Sequence, residues 1–355
     1  MRRTLLLATV SIAILMMAVP FGSAQSALLD LPRASQHARV MQRLGITDIT
    51  INYHRPLVKG RKIFGGLEPY GKPWRAGANE NTIIEFSDAV TVEGKPLAKG
   101  VYGLHMIPGE SDWTVIFSRN SSSWGSFSYD QAEDALRVTV KSHPDEMHEA
   151  LTYDFDDLQP NSTVISMKWD KIAVPFKVEV NTPQVVDASL KNQLRGRVQY
   201  EWQSWNEAAQ YLADNKINNE EALTYANKSI ETEEHFENLV TKARILDALN
   251  RKDEAATVRN KALPLGNAIQ VHIYGRQLQQ EGKQDEAFNI FRANIKKYPD
   301  NWLTHSEAAR IACANGDFDT AVKEMKLSAD GADAQNKPAF EALLRRLQNK
   351  EDINK

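Results

Sequence analysis

From Ile46 onward, apolar and polar residues alternate with a period of two. Ile49, Ile51 and Tyr53 interleave with Thr50, Asn52 and His54. The alternation returns in Thr82–Ile84–Phe86, Val90–Val92, Tyr102–Leu104–Met106 and Trp113–Val115–Phe117. It continues in Leu136–Val138–Val140, Leu151–Tyr153–Phe155 and Ile165–Met167–Trp169, and closes with Ile172, Val174, Phe176, Val178 and Val180. Glu93-Gly94-Lys95-Pro96 and Pro108-Gly109 read as tight turns between them. About nine short strands with no helical insert predict an antiparallel all-β module over residues 33–180. One apolar face per strand suits two sheets packed face to face, a β-sandwich. His143 and His148 flank Pro144, Asp145, Glu146 and Met147, which reads as a surface turn.

Asn181 to Asp187, with Pro183 inside, reads as a linker, and beyond it the strand pattern vanishes. Glu221-Ala222, Glu254-Ala255, Glu286-Ala287 and Thr320-Ala321 recur at spacings of 33, 32 and 34 residues. That period is close to the roughly 34 residues of tetratricopeptide repeats, whose helix pairs stack into one continuous core. In the third unit Gly275, Leu278, Gly282, Ala287, Phe291 and Pro299 fall on small, apolar, turn and stop positions. Residues 188–349 are thus expected to form an all-α solenoid of helical hairpins. Lys337 to Asn349 would cap it, with Ala339, Leu343, Leu344 and Leu347 on one side.

One stretch fits neither period. Arg55 to Glu80 carries Pro56, Gly60, Gly65, Gly66, Pro69, Gly71, Pro73 and Gly77, the mark of a long shaped loop. Loops of this length without regular structure are often functional. From Tyr53 to Gly77 there are six basic residues and one acid, Glu68, inside a module that is slightly acidic overall. Arginines beside glycines suit carboxylate or phosphate oxygens, and Tyr70 and Trp74 offer flat apolar faces. Arg55, Lys59, Arg61, Tyr70, Trp74, Arg75, Asn79 and Glu80 are the candidate ligand-binding residues. The competing structural role for the arginines is to tie the loop to backbone carbonyls and to Asp154, Asp156 and Asp157.

The same residues resemble a family of unknown function, DUF2911. The resemblance runs through Gly45-Ile46-Thr47-Asp48-Ile49-Thr50-Ile51, Tyr53-His54-Arg55-Pro56, Lys59-Gly60-Arg61, Ile63-Phe64-Gly65 and Pro69-Tyr70-Gly71. It goes on through Trp74-Arg75-Ala76-Gly77-Ala78-Asn79-Glu80, Gly94-Lys95, Gly100-Val101-Tyr102, Ile107-Pro108-Gly109, Trp113-Thr114-Val115-Ile116-Phe117 and Trp124-Gly125. It spans residues 30 to 180 and departs at Ala76, where Thr is common in the family, and at His54, where Ser is common. The resemblance implies an exported bacterial protein, in some members with a similar helical tail, and no assigned activity.

The N-terminus agrees with export. Arg2 and Arg3 precede the apolar run Leu5–Val19, and Pro20, Gly22, Ser23 and Ala24 form a small-residue cleavage region. Residues 1–24 therefore read as a signal peptide too short for a comfortable membrane span. A periplasmic or secreted location follows as an expectation. The chain of 355 residues has a formal charge of −3, and neither module is basic overall, which argues against nucleic acid as a partner. A single cysteine, Cys313, excludes an intrachain disulfide and a cysteine metal cluster.

Catalytic signals are sparse. His54 and His105 lie on the polar sides of their strands and, with Glu80, would be the candidates for a metal or acid/base site, but scattered histidines on a solvated strand face are the commoner case. Ser121 to Ser123 lack a nucleophile elbow and read as a polar loop. No catalytic residue, metal site or cofactor is assigned. The favoured function is non-enzymatic ligand binding and scaffolding, with an anionic or glycan ligand at the basic loop and a protein partner on the repeats. The alternative is a hydrolase of a cell-envelope polymer, with the 55–80 loop as its cleft.

Overall fold

The computed structural model describes residues 31–354; the expected signal peptide, residues 1–24, lies outside them. Ten strands build the N-terminal module. β1 (Gln36–Leu44), β2 (Thr47–Arg55), β3 (Ile83–Phe86), β6 (Gly100–Ile107), β7 (Asp112–Ser118) and β8 (Asp134–Lys141) form a sheet in the order β1-β2-β3-β6-β7-β8. β4 (Val90–Val92), β5 (Lys95–Leu97), β9 (His143–Asp156) and β10 (Ser162–Glu179) form a second, in the order β5-β4-β10-β9. Every pairing is antiparallel. The alternating residues of both sheets meet in one core around Ile49, Ile51, Phe86, Phe117, Trp113, Tyr153, Trp169 and Phe176.

Three details differ from the sequence reading. β1 carries weak alternation, since Gln42 interrupts the core-facing Ala38, Val40 and Leu44 and Met41 is exposed, so its period was hidden. The two last predicted strands are one, β10, bent where Asp170 takes φ +55° and the register to β9 shifts. The expected turn at His143–His148 is strand, paired through Pro144 with Ile172. β9 lies at a sheet edge, where a proline without an N–H is tolerated.

The expected linker Asn181–Asp187 instead opens helix α1 (Thr182–Gln193). Asn181 accepts from the Gln184 N–H, and Pro183 stands at the helix start, where its missing donor costs nothing. Val185 of α1 packs on the sandwich core. Gly45 has φ +62°, and the space where its Cβ would lie holds the Thr182 side chain.

The solenoid follows in hairpins: α2 (Trp202–Asp214) with α3 (Asn219–Thr232), α4 (Phe236–Ala248) with α5 (Lys252–Ala262), α6 (Ala268–Gln280) with α7 (Gln284–Lys297), and α8 (Trp302–Ala314) with α9 (Phe318–Gly331). The repeat alanines, Ala222, Ala255, Ala287 and Ala321, are all fully buried. That is the reason for the period: each second helix turns its smallest residue inward so that the pair can approach. Gly275 serves the same end, since a Cβ there would stand 2.3 Å from the Phe291 ring. α10 (Lys337–Gln348) closes the stack through Phe340, Leu343, Leu344 and Leu347, and Cys313 is buried beside them.

Candidate functional site

The basic loop is pinned at both ends. Its first residues add to the edge strand β9: the Leu151 N–H donates to Pro56 O at 3.0 Å and the Val58 N–H to Glu149 O at 2.8 Å. Lys59 (φ +48°) and Gly60 (φ +67°) then turn the chain back. Farther on, Trp74 exchanges two 2.8 Å backbone bonds with Met106 of β6. Between these anchors Ile63, Phe64, Trp74 and Ala76 enter the sandwich core.

This placement sorts the eight candidate residues. Arg55 donates to Leu151 O at 2.8 Å and Thr152 Oγ1 at 2.6 Å, both on β9. Arg61 donates to Val58 O at 3.0 Å and to Leu57 O. These two arginines hold the loop's own shape, and their partners are carbonyls and a hydroxyl. The Lys59 N–H donates to the Glu149 carboxylate at 2.9 Å. Trp74 is no exposed stacking surface. It is 4% exposed, its ring stacks on Trp169 at 5.6 Å, and its indole N–H donates to Gly77 O. Asn79 donates to Ser35 O at 3.2 Å. Tyr70 remains half exposed, its ring lying where a side chain at Gly65 would clash.

Glu80 faces a second cluster. Both its oxygens accept from Arg33, at 2.5 and 2.7 Å, and His54 Nε2 lies 3.4 Å away. The hydrogen bond from Arg33 holds the Glu80 carboxyl below its ordinary range. Burial lowers the His54 pKa, against the pull of Glu80. Arg33, Gln36, His37, His54 and Glu80 line a cavity of about 380 Å³. A larger one, about 1180 Å³, lies between β4–β5 and α1, away from this chemistry.

Arg75 stands apart. It is half-buried, its Nε is shielded without a hydrogen-bond partner among the described residues, and its guanidinium lies 5.7 Å from the Trp124 ring. Burial lowers its pKa, while Glu68 and Glu80 act to raise it. Trp124 belongs to the loop between β7 and β8, tied to the basic loop by a backbone bridge to Glu80. Trp124 and Phe127 stack at 6.2 Å and are 60% and 86% exposed. Gly125 (φ +76°) makes this possible, since a Cβ there would press on Phe127 and on Arg75. Glu68, near Arg75, is pushed up to about 7 by burial, with Arg75 and Arg61 opposing.

The same loop covers His105, which is 2% exposed and not on a solvated face. Its Nδ1 lies 2.9 Å from Ser126 Oγ and its ring 5.4 Å from that of Tyr129. Burial, then the nearby Arg75, lowers its pKa to about 4, so it is neutral at pH 7. Sequence reasoning missed Trp124 and Phe127 as exposed aromatics. The signal was two large rings in a Ser-rich stretch with no apolar alternation.

Residues 35–178 match the family of proteins of unknown function designated DUF2911. No curated protein matches the chain. Among solved structures it is similar to a chain of the crystal structure of the APC/C hetero-tetramer Cut9-Hcn1, at 19% identity and a TM-score of 0.32, covering 48% of this chain and 33% of that one. It is similar also to MamA in its crystal structure, at 15% identity and a TM-score of 0.31, covering 46% of this chain and 92% of that one. The chain thus spans about a third of the length of the Cut9-Hcn1 chain that it matches.

Proposed function

We propose that this is an exported, periplasmic or secreted binding scaffold, whose sandwich holds an acidic saccharide and whose solenoid holds a protein partner. The observation that carries the first half is Arg75, a half-buried guanidinium with no hydrogen-bonded acid among the described residues, set beside two stacked and exposed rings. Burying a Phe or Trp side chain is worth roughly 1.5–3 kcal/mol or more, so leaving both out sacrifices stability. The faces of Trp124 and Phe127 suit the C–H face of a sugar ring, and the guanidinium suits a carboxylate. For the second half, Leu265, Ile269 and Ile273 leave an apolar stripe exposed at a spacing of four along α6 and the turn before it.

Calorimetric titration with a hexuronate oligosaccharide, against a neutral hexose oligomer of equal length, tests the site. The acidic ligand is expected to bind more tightly. Arg75→Ala should weaken it roughly 10- to 100-fold, the worth of a charge-assisted hydrogen bond of about 1.5–3 kcal/mol. Trp124→Ala should weaken both ligands. Equal binding of the two oligomers, or an Arg75→Ala variant that binds as the parent does, contradicts the proposal. One observation favours hydrolysis as a second reading: the Glu68 carboxyl, pushed up to about 7, keeps a proton available near neutral pH. Release of reducing ends that Glu68→Gln abolishes would move the assignment there.

A further inference from the structure

Beyond α10 the chain turns back into the solenoid. Lys350 takes φ +57° and reverses its direction. Glu351–Asn354 then crosses α10 and α8 and reaches the end of α6. Ile353 is 2% exposed and packs with Ala309, Ala312, Cys313 and Leu347. Arg346 donates to Asp352 O at 2.7 Å, and Arg310 to Ile353 O at 2.6 Å. Gln279 donates to the Asn354 side-chain oxygen at 2.9 Å, and Asn354 in turn to Arg310 O at 3.0 Å.

The cations around this segment come from the helices. α6, α8 and α10 contribute Arg276, Arg310 and Arg346; facing them are Glu351 and Asp352 of the returning segment and, on α8, the buried Glu307, whose carboxyl burial keeps protonated at neutral pH. Glu351 pairs with Arg346 at 3.1 Å. Arg310 is 5% exposed, its Nε has no partner among the described residues, and its Nη1 donates to a peptide carbonyl, that of Ile353. Burial lowers its pKa to about 9, with repulsion from Arg276 in the same direction and Asp352 of the returning segment acting weakly against it. A carboxylate in place of that carbonyl would make a charge-assisted bond roughly twice as strong. The groove therefore offers an aliphatic pocket and a buried cation that its present occupant under-uses.

We propose that the groove between α6, α8 and α10 receives an acidic, aliphatic peptide segment of a partner protein, and that Glu351–Asn354 occupies it until that segment displaces it. This rests on the solenoid as the partner-binding module. It adds where the partner docks and what chemistry it brings: an aliphatic side chain in the Ile353 pocket and a carboxylate on Arg310.

The test uses a fluorescent synthetic peptide copying residues 349–355 and the same peptide carrying Asp352→Asn. Anisotropy is read with the full chain, with a chain lacking residues 350–355, and with that chain carrying Arg310→Met. The peptide is expected to bind the shortened chain. The full chain should bind it at least about tenfold more weakly, because its own segment competes at an effective concentration near millimolar. The Asp352→Asn peptide should bind more weakly than its parent, because Asp352 is the acid whose charge acts on Arg310, and Arg310→Met should abolish both. No binding to the shortened chain overturns the proposal, as does equal binding to the full chain or binding indifferent to Arg310→Met. A concentration-dependent dimer formed by exchange of the segment would give the groove to a second copy and overturn it too. Should the shortened chain fail to fold, hydrogen exchange on the full chain decides. Amides of 351–354 opening well before those of α8 support displacement, and opening together with α8 contradicts it. The saccharide titration at Arg75 is independent of all these outcomes, so the two proposals fail separately.

Discussion

Trp74→Ala is expected to lower the stability of the β-sandwich by about 3–5 kcal/mol, the range for truncating a buried aromatic. Three losses combine. The ring is enclosed by Phe64 and Trp169, at 6.1 and 5.6 Å, so its removal leaves a cavity lined by other aromatics. The indole bond to Gly77 O goes, which leaves a buried carbonyl without that donor. The basic loop also loses the side chain that seats it against β6. At roughly 2–4 °C per kcal/mol the melting midpoint of the sandwich should fall by about 10 °C. Thermal melting followed through the β-sheet signal checks this. A midpoint near that of the parent, together with lost saccharide binding, would make Trp74 a ligand contact instead.

The second large effect concerns pH and the solenoid. Glu307 on α8 is fully buried, accepts from Asn294 at 2.8 Å, and lies 3.0 Å from His272 Nδ1 of α6. Burial pushes the Glu307 carboxyl up to about 8, against the hydrogen bond from Asn294 and the charge of Arg310. Burial, then Arg310 and Arg276, lowers His272 to about 3. Both groups are thus neutral in the folded state at mildly acidic pH. For Glu307 the folded pKa lies above the unfolded one. Its contribution is complete below about pH 4.5 and is lost as pH rises towards about 8. His272 is the opposite case. Its contribution is complete above about pH 6.5 and is lost as pH falls towards about 3. Between about 4.5 and 6.5 the two slopes offset each other. The solenoid should therefore melt highest in that interval and lose stability on both sides. Glu307→Gln keeps an acceptor for Asn294 and removes the alkaline loss, so its midpoint should rise with His272 to about pH 6.5 and stay level from there to about pH 8. Melting by helical circular dichroism from pH 4 to 9 tests it. A parent profile that is flat from pH 6 to 8 would contradict a protonated Glu307.

Much of this architecture was legible because it depends on periodicity. Alternation of Ile49, Ile51 and Tyr53 marks a strand in any context, and the recurring alanines mark close helix pairs wherever they occur. The site was less legible because its partners are remote. Arg55 finds its carbonyl 96 residues away, on β9, and nothing local to Arg55 announces that bond. Trp74 and Trp124 sit in equally irregular, polar surroundings, yet one is core and the other exposed. Only the path of the chain across the second sheet separates them. His105 shows the same effect, since its strand face is covered by a loop that the alternation of β6 cannot foresee.

The most direct measurement compares the sandwich melting midpoints of the parent and of Arg55→Ala, Arg61→Ala and Arg75→Ala, without ligand. Arg55 and Arg61 each make two hydrogen bonds to loop or β9 acceptors, so losing either should cost about 1–3 kcal/mol and several degrees. Arg75 is half-buried without such a bond among the described residues, and its removal should leave the midpoint level or raise it, as for a residue kept for binding at some cost to stability. A fall in Arg75→Ala as large as in the other two would make Arg75 a third structural pin and remove the basis of the proposed site.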